Sequence, residues 1–244
     1  MNKLISSVFV LGSTSSVAES ICFELAKRGC KRFHLVARNI KKNKNLISSL
    51  KNQFNVLITQ EEHDLNNDFS KGQPFIPKVD EFDLYLITAG YLGKENYDKN
   101  DLIETMKINS INYISIIPWI NEITKKERLL KPGRLWIFSS VAGDRGRPSN
   151  YHYGAAKAAL TIFSEGLQLS CKNFPFRIRI IKAGFIESPM TKGKVPNFLC
   201  LKPSKLAKIL LKRPNKEGIE YVSWWWSIIM LIIKVLPSKF VSKI

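Results

Sequence analysis

The strongest constraint on the fold is a regular alternation of short apolar runs with amphipathic stretches of helical periodicity. The apolar runs are rich in β-branched and aromatic residues, and they include SSVFVLG, RFHLVAR, FDLYLITAG and RLWIFSS. Runs that are apolar on both faces are typical of strands covered on both sides by helices, and such strands form parallel sheets. We therefore predict an α/β fold of the Rossmann-like, doubly wound kind, with a parallel sheet of about seven strands flanked by helices.

Composition predicts a single folding unit. The chain has 244 residues, of which 45% are hydrophobic, and no repeat or low-complexity linker divides it. We predict one domain over residues 1–223 and an apolar, basic extension over residues 224–244. The four cysteines are scattered and form no CxxC pair, which predicts neither a metal site nor a disulfide framework and fits a reducing cytoplasm.

The charge balance is strongly basic. The 38 lysines and arginines outnumber the 20 aspartates and glutamates, so the formal net charge is +18. Such a charge indicates an anionic partner, which leaves nucleic acid, acidic lipid and phosphorylated small molecules open, beside a merely solvated basic surface.

The turn after the first predicted strand reads GSTSSVA, from Gly12 to Ala18. A turn between a strand and a helix points backbone N–H groups and the helix N-terminus at a phosphate. Only Gly12 is glycine here, and Ser16 and Ala18 stand where a dinucleotide fingerprint usually has glycines. By itself the turn is therefore weak support for nucleotide binding.

The charges after the second predicted strand indicate which dinucleotide is bound. An NAD site usually has a carboxylate about 20 residues after the turn, but no acidic residue occurs between Glu24 and Glu61. Arg38 follows the strand instead, with several lysines close behind it. Because a guanidinium can hold a phosphate through two hydrogen bonds, the sequence favours NADP(H) over NAD(H).

A candidate catalytic pair lies in the segment FSSVAGDRGRPSNYHYGAAKAAL. Tyr153 and Lys157 are four residues apart, so on a helix their side chains share one face. A nearby ammonium favours the phenolate and lets a tyrosine act as acid or base near neutral pH. Ser140 lies thirteen residues before Tyr153, at the end of an apolar strand, and its neighbour Ser139 would face the other side of the sheet.

Six motifs in this order resemble those of the short-chain dehydrogenase/reductase superfamily, between about residue 5 and about residue 223. They are GSTSSVA, HDL with Asp64, ITAG with Gly90, KINSIN with Asn109, SSVAG followed by YHYGAAK, and AGFIESPM. The resemblance implies an oxidoreductase that interconverts a ketone and a secondary alcohol by hydride transfer from or to a nicotinamide cofactor.

The resemblance also implies a role for each matching residue. Tyr153 would be the general acid or base, and Lys157 would lower its pKa and hold the nicotinamide ribose. Ser140 would hydrogen-bond the substrate oxygen, and Asn109 would kink its helix and position a water that connects Lys157 to solvent. Cofactor contacts are implied for Gly12, Ser13, Thr14, Ser16, Val17, Arg38, Asp64, Leu65, Ala89, Gly90, Gly184, Ile186 and Ser188, besides Tyr153 and Lys157.

The substrate is left open. The residues after position 191 carry eleven lysines and arginines against Glu217 and Glu220, and the chain ends in a tryptophan-rich apolar run. In these features and in the sequence of the segment that contains Tyr153, the chain resembles the decaprenylphospho-pentofuranosid-2-ulose reductase subgroup. This resemblance implies a keto sugar on a polyprenyl phosphate as the substrate. The alternatives are a soluble carbonyl reductase for a small ketone, aldehyde or acyl intermediate, and an inactive homologue that only binds; a nucleic-acid module is not expected.

The run WWWSIIMLIIKVLP near the C-terminus has three possible placements. It is shorter than the ~20 residues that a spanning helix needs, which disfavours crossing a bilayer. A closing or dimer-forming helix and a helix lying in the interface of an anionic membrane remain open. We therefore expect a cytoplasmic homodimer or homotetramer, with the inner face of the membrane as the alternative location.

Overall fold

The computed structural model describes residues 4–67, 75–188, 191 and 200–241. Seven strands form one sheet, and all neighbouring strands are parallel. Along the chain they are β1 Ser7–Leu11, β2 Arg32–Ala37, β3 Leu57–Glu62, β4 Leu84–Ile87, β5 Gly133–Ser140, β6 Phe176–Ala183 and β7 Gly218–Tyr221. Their order across the sheet is β3-β2-β1-β4-β5-β6-β7, which confirms the predicted seven-stranded, doubly wound sheet.

The helices cover both faces of this sheet. They are α1 Ser16–Lys27, α2 Lys44–Gln53, α3 Leu102–Asn112, α4 Ile117–Ile123, α5 Lys126–Leu129, α6 Tyr151–Ser170, α7 Pro203–Lys212, α8 Trp224–Val235 and α9 Ser238–Val241. Short 3₁₀ turns span Ile40–Asn43, Ile114–Ile116 and Val141–Asp144.

Two cores fill the space between the sheet and its helices. On one face, buried residues of α1, α2 and α7 pack against β1, β2, β4, β5 and β6. On the other face, residues of α4 and α6 pack around Trp119, which is fully buried. Each large apolar side chain buried in this way stabilises the fold by roughly 1.5–3 kcal/mol. Helices therefore bury the apolar side chains on both faces of the strands.

A third, smaller cluster involves the C-terminal tryptophan run. Trp226, Met230 and Ile233 of α8 are buried together with Val141, which begins the 3₁₀ turn after β5. The run is thus a short helix with one side packed on the end of the sheet. No helix among the described residues is both long enough and apolar enough to cross a bilayer.

Candidate active site at the carboxyl edge of the sheet

The site residues converge because parallel strands end at one edge of the sheet. The Gly12 turn follows β1, Gly90 follows β4 closely, Ser140 ends β5, and Gly184 follows β6. β1, β4, β5 and β6 are consecutive neighbours in the sheet, so these four points form one continuous row. Ligands of doubly wound folds bind at this edge, where the strand order reverses.

The Gly12 turn is closely packed against the chain after β4. Gly12 has φ +90°, and a Cβ placed on it would lie 2.5 Å from the backbone nitrogen of Ala89. A side chain is therefore excluded both by conformation and by space. Ser15 caps α1 by accepting a hydrogen bond from the backbone nitrogen of Ala18 at 3.1 Å, which holds the first turn of the helix in place. The cap aims the N-terminus of α1 at the space above the turn.

Two predicted cofactor contacts in this turn point into the protein. The Ser13 side chain is fully buried, and its hydroxyl is bonded to Asn43, whose amide nitrogen lies 3.0 Å away. Val17 is buried in the core beneath α1. Thr14 is exposed and Ser16 is partly exposed, so these two residues and the backbone face the site. Because packing turns both side chains away from the site, Ser13 and Val17 can contact a cofactor there only through their backbone.

Asn43 was not predicted. It is fully buried, and it ties the Gly12 turn to the segment after β2 through Ser13. In the sequence it is one of several asparagines in a lysine-rich stretch, so no local signal distinguishes it.

Arg38 lies just beyond β2 and is exposed. Its charge acts on Tyr91, the residue after Gly90: burial raises the pKa of Tyr91 to about 12, a hydrogen bond with Glu104 adds to this, and Arg38 opposes it. The charge of Arg38 is therefore felt at the residue that follows Gly90. A carboxylate also reaches this loop, because Glu62 accepts a hydrogen bond from the backbone nitrogen of Ile40 at 3.3 Å.

The remaining predicted cofactor contacts occupy the rim of the same edge. Asp64 accepts a hydrogen bond from the backbone nitrogen of Asn66 at 3.0 Å, and Leu65 is buried. Ala89 is buried beneath the Gly12 turn, and Gly90 is exposed beside it. Ile186 pairs with Leu201 in an isolated bridge, and the backbone nitrogen of Ser188 donates to Thr191 at 3.2 Å. The bridge and this hydrogen bond thus hold the first residues of the loop after β6 in place.

Tyr153 and Lys157 project from the first turns of α6 toward the end of β5. Lys157 is buried, and its ammonium donates to the backbone oxygen of Phe138 at 3.1 Å. The Nζ atom lies 5.9 Å from the centroid of the Tyr153 ring. Ser140 lies near enough to Tyr153 to favour a lower pKa of the phenol, and the Ser140 hydroxyl accepts a hydrogen bond from the backbone nitrogen of Ala142 at 3.1 Å.

Ser139 faces the other way, toward the body of α6. Its hydroxyl donates to the backbone oxygen of Lys157 at 3.1 Å and contacts the hydroxyl of Thr161 at 2.6 Å. Neighbouring strand residues point to opposite faces, so only one of the two serines can reach Tyr153. The structure brings Ser140, not Ser139, to the phenol.

Burial dominates the pKa values of the pair. Burial raises the pKa of Tyr153 to about 12, and the hydrogen bond with Ser140 only partly opposes the rise. Burial also lowers the pKa of Lys157 to about 8. The expected lowering of the tyrosine pKa by the ammonium is therefore not observed, because loss of hydration penalises the phenolate more than the lysine stabilises it. At neutral pH the phenol keeps its proton and can donate it.

The asparagine beside this pair is Asn112 rather than Asn109. Asn109 donates its amide to the backbone oxygen of Thr105 at 2.9 Å, within its own helix. Asn112 is fully buried, accepts from the backbone nitrogen of Tyr91 at 3.1 Å and donates to the backbone oxygen of Tyr91 at 2.6 Å. KINSIN contains both asparagines three residues apart, and the packing of α3 selects the second one.

Gly90 shows where this asparagine lies relative to Lys157. A Cβ placed on Gly90 would be 3.3 Å from Asn112 Oδ1 and 3.7 Å from Lys157 Nζ. Both side chains thus border the same small volume above Gly90. The role predicted for Asn109 is corrected accordingly, since its side chain is turned back onto α3.

Comparison with known proteins agrees with this geometry. A model of the short chain dehydrogenase family matches residues 6–197. The chain belongs to the short-chain dehydrogenase family. The chain is 28% identical to an uncharacterised oxidoreductase of Mycobacterium tuberculosis over 62% of this chain, and the match covers 61% of that protein's length.

Solved structures share the fold of this short-chain dehydrogenase. One from Sphingobium yanoikuyae, in complex with NADPH, has a TM-score of 0.76 at 16% identity and covers 96% of this chain and 97% of its own. A 3-oxoacyl-[acyl-carrier protein] reductase from Brucella melitensis with bound NAD has a TM-score of 0.68 at 18% identity, with 87% of each chain covered. At these identities the likeness concerns the fold.

The residues at the edge of this short-chain dehydrogenase fit a nicotinamide dinucleotide. The Gly12 turn leads into α1, whose capped N-terminus presents backbone N–H groups that suit a diphosphate. Gly90 is exposed between the turn and Lys157, so a ribose has room there. Among the described residues no cluster of histidine, cysteine or acidic side chains has the arrangement of a metal site.

A network that the sequence did not predict connects the Ser140 turn to the C-terminal helix. The Asp144 side chain is 2% exposed and forms an ion pair with Lys182 of β6, and the Tyr221 hydroxyl donates to it at 2.6 Å. Lys234 of α8 lies 3.6 Å from the same carboxylate. Burial and this hydrogen bond raise the pKa of Tyr221, so the phenol stays a donor. The turn that carries Ser140 is therefore joined to β6, β7 and α8 by charge as well as by packing.

Proposed function

We propose that this chain is an NADP(H)-dependent reductase that interconverts a ketone and a secondary alcohol. The observation that carries the proposal is the grouping of Ser140, Tyr153 and Lys157 at the sheet edge next to the Gly12 turn. NADPH supplies a hydride to the carbonyl carbon when it is bound. The side chains supply the proton and the positioning.

The residues divide the work of carbonyl reduction among them. Ser140 donates a hydrogen bond to the substrate oxygen and stabilises the negative charge that develops there. Tyr153, whose pKa is raised to about 12, gives its proton to that oxygen. Lys157, with a pKa lowered to about 8, still carries a proton at neutral pH and favours the phenolate that is left behind.

The test is a pair of tyrosine variants on the same helix. Tyr153→Phe removes the proton donor, and we expect the rate of NADPH oxidation with a ketone to fall by about 10³-fold or more. Tyr151→Phe is the control, because Tyr151 is 42% exposed and two residues away, and it should keep wild-type activity. Full activity of Tyr153→Phe would overturn the proposal, and binding of NADPH without turnover by wild type would favour an inactive binding protein.

The preference for NADP(H) rests on Arg38. Its exposed guanidinium stands beyond β2, near Tyr91, where it is available to a 2′-phosphate. Glu62 of β3 accepts a hydrogen bond from the loop that follows Arg38, and this nearby carboxylate is a reason to measure NADH in parallel. The structural neighbours include complexes with NADPH and with NAD, so the choice is decided by kinetics on this chain.

For the substrate we propose a lipid-linked, phosphorylated keto sugar at a membrane surface. The loop between Ser140 and Tyr153 carries two arginines. The Nε atom of Arg147 is buried and has no hydrogen-bond partner among the described residues, and burial lowers the pKa of this guanidinium. A partly buried guanidinium with an unpaired Nε, in the loop that leads from Ser140 to Tyr153, suits an anionic group of the substrate.

The substrate test compares keto sugars on a prenyl phosphate with the same sugars lacking phosphate and with small ketones. A preference of at least tenfold in kcat/KM for the phosphorylated compounds, lost in Arg147→Gln, supports the proposal. The alternative is a soluble reductase for a small carbonyl or acyl intermediate. Its support is the likeness in fold to the 3-oxoacyl-[acyl-carrier protein] reductase, and equal kcat/KM across the panel would favour it.

We also propose a homodimer that forms through α3 and α6. These helices pack against each other and leave apolar side chains exposed, namely Leu102, Ile103, Met106, Ile162 and Leu169. Exposed apolar side chains grouped on two neighbouring helices suit an interface. The assembly would work in the reducing cytoplasm, where Cys22, Cys30, Cys171 and Cys200 stay free. Sedimentation of wild type and of Ile162→Asp tests it, since the variant should be monomeric.

A further inference from the structure

The C-terminal helix α8 has two apolar faces. One face is buried against the domain through Trp226, Met230 and Ile233. The other is open to solvent, with Trp224 73% exposed, Leu231 66% exposed and Val235 76% exposed. Ile228 and Ile232 complete this open face, which we call the α8 stripe. The five residues are spaced as one side of a helix.

We infer that the α8 stripe docks on the surface of an anionic lipid bilayer, with the helix lying in the interface. The helix has 12 residues, which makes it about 18 Å long, far short of a bilayer core. A helix with one apolar face and cationic flanks binds in the plane of the headgroups. Trp224 at its start and Phe240 just beyond its end are exposed aromatic residues, the kind found at membrane interfaces.

Charge favours an anionic surface over a second copy of the chain. No aspartate or glutamate occurs from Tyr221 to Val241, whereas Lys234 and Lys239 lie beside the stripe and are exposed. The whole chain carries a formal charge of +18. Pairing two stripes would bring two such charges together, whereas acidic headgroups would neutralise them. The complementary partner is therefore an acidic lipid surface.

The position of α8 gives the docking a consequence for the active site. The buried face of α8 packs on Val141, the residue after Ser140. The Trp226 indole covers Gly184, so a Cβ on that glycine would collide with it. Lys234 reaches Asp144 in the same turn. The membrane-facing helix is thus attached directly to the turn that carries Ser140, and docking would place the substrate edge beside the lipid.

Vesicle binding tests the docking independently of any substrate. The full chain is sedimented with phosphatidylcholine vesicles, with and without phosphatidylglycerol, at ionic strengths of about 0.1 M and about 1 M, between which the Debye length falls from ~10 Å to ~3 Å. We expect wild type to bind the vesicles that contain phosphatidylglycerol, more weakly at high salt. In Leu231→Ser/Val235→Ser the partition coefficient should fall by about tenfold or more, because two inserted apolar side chains are lost.

The matched control is Leu57→Ser/Leu130→Ser. These leucines are 61% and 62% exposed and lie on other surfaces, so their loss should leave binding within about twofold of wild type. Quenching of tryptophan fluorescence by lipids with brominated chains should be clear in wild type and smaller in Trp224→Phe. Both readouts report insertion rather than general basic attraction.

Three results would overturn the docking. They are no binding by wild type, equal loss of binding in the control and the stripe variant, and a wild-type dimer that the stripe variant converts to a monomer without any vesicle binding. The proposed reaction can be refuted independently of the docking, because Tyr153→Phe should lose ketone reduction but keep vesicle binding. The stripe variant should keep reduction of a small water-soluble ketone and lose vesicle binding.

Discussion

Replacing Asn112 by alanine should damage both stability and catalysis, whereas replacing Asn109 should do neither. Asn112 makes three hydrogen bonds, a buried one to the backbone oxygen of Ile108 and two partly buried ones to the backbone nitrogen and oxygen of Tyr91. Each hydrogen bond contributes about 1 kcal/mol, and unmet backbone groups add to the loss. Asn112→Ala should therefore lower the free energy of unfolding by about 3 kcal/mol, which corresponds to about 6–12 °C in Tm.

The same variant should slow the reaction because Tyr91 follows Gly90. Without Asn112 the backbone of Tyr91 loses its hydrogen bonds. The small volume above Gly90, which Lys157 Nζ also borders, then loses one of its walls. We expect kcat to fall by about tenfold or more, since misplacing a catalytic group by about 1 Å costs that much or more. The assays are thermal unfolding by circular dichroism and NADPH oxidation with a ketone.

Asn109→Ala is the internal control for this reasoning. Asn109 loses only one hydrogen bond, to Thr105 within the same helix, and alanine is the better helix former. Its Tm should change by no more than about 2 °C and its kcat by no more than about twofold. The reasoning is refuted if Asn109→Ala is the more damaging change, or if Asn112→Ala matches wild type in both assays.

Three further predictions concern the cofactor loop, the covered glycine and the buried lysine. Arg38→Ala should raise KM for NADPH by roughly tenfold or more, because a charged hydrogen bond to the 2′-phosphate is worth about 1.5–3 kcal/mol. KM for NADH should stay within about twofold of wild type. Parallel kinetics with both cofactors check this, and an equal rise in both KM values would contradict it. Gly184→Ala should lower Tm by several degrees, because the new methyl group displaces the Trp226 indole. Gly166→Ala is the control: its methyl group meets no atom within 4 Å, and the variant should raise the free energy of unfolding by roughly 1 kcal/mol. An unchanged Tm in Gly184→Ala would contradict the packing of α8. Lys157 has a pKa lowered from 10.5 to about 8, so the unfolded chain binds more protons between these values and stability should rise as pH increases through that window. Lys157→Met should therefore raise the free energy of unfolding at neutral pH by on the order of 1–3 kcal/mol, flatten this pH dependence and abolish turnover, as chemical denaturation at several pH values would show.

Much of the site was predictable because its spacing is local. Tyr153 and Lys157 share a helix face at any four-residue separation, whatever packs around the helix. Ser140 ends an apolar strand, and alternation along that strand separates it from Ser139. Arg38 stands at the end of β2 because the strand pattern ends there. None of these placements depended on distant parts of the chain.

Other assignments required the packed structure. Asn109 and Asn112 lie three residues apart in KINSIN, and only the contact of α3 with Tyr91 shows which one borders the active site. Ser13 belongs to a motif that usually faces a ligand, yet the buried Asn43 draws it inward. The pKa of Tyr153 is raised although Lys157 is near, because burial is a property of the whole fold.

The C-terminal tryptophan run shows where the two kinds of information separate. Its length and composition alone determined that a spanning helix was disfavoured, since an apolar helix must be long enough to cross a bilayer. Its sequence is apolar around most of the helix, so periodicity alone did not determine which side is buried. The tertiary structure decided this by packing Trp226 on Gly184 and leaving Trp224 in solvent. Helical periodicity depends only on residues that are close in sequence, whereas the side of the helix that is buried depends on which distant part of the chain packs against it.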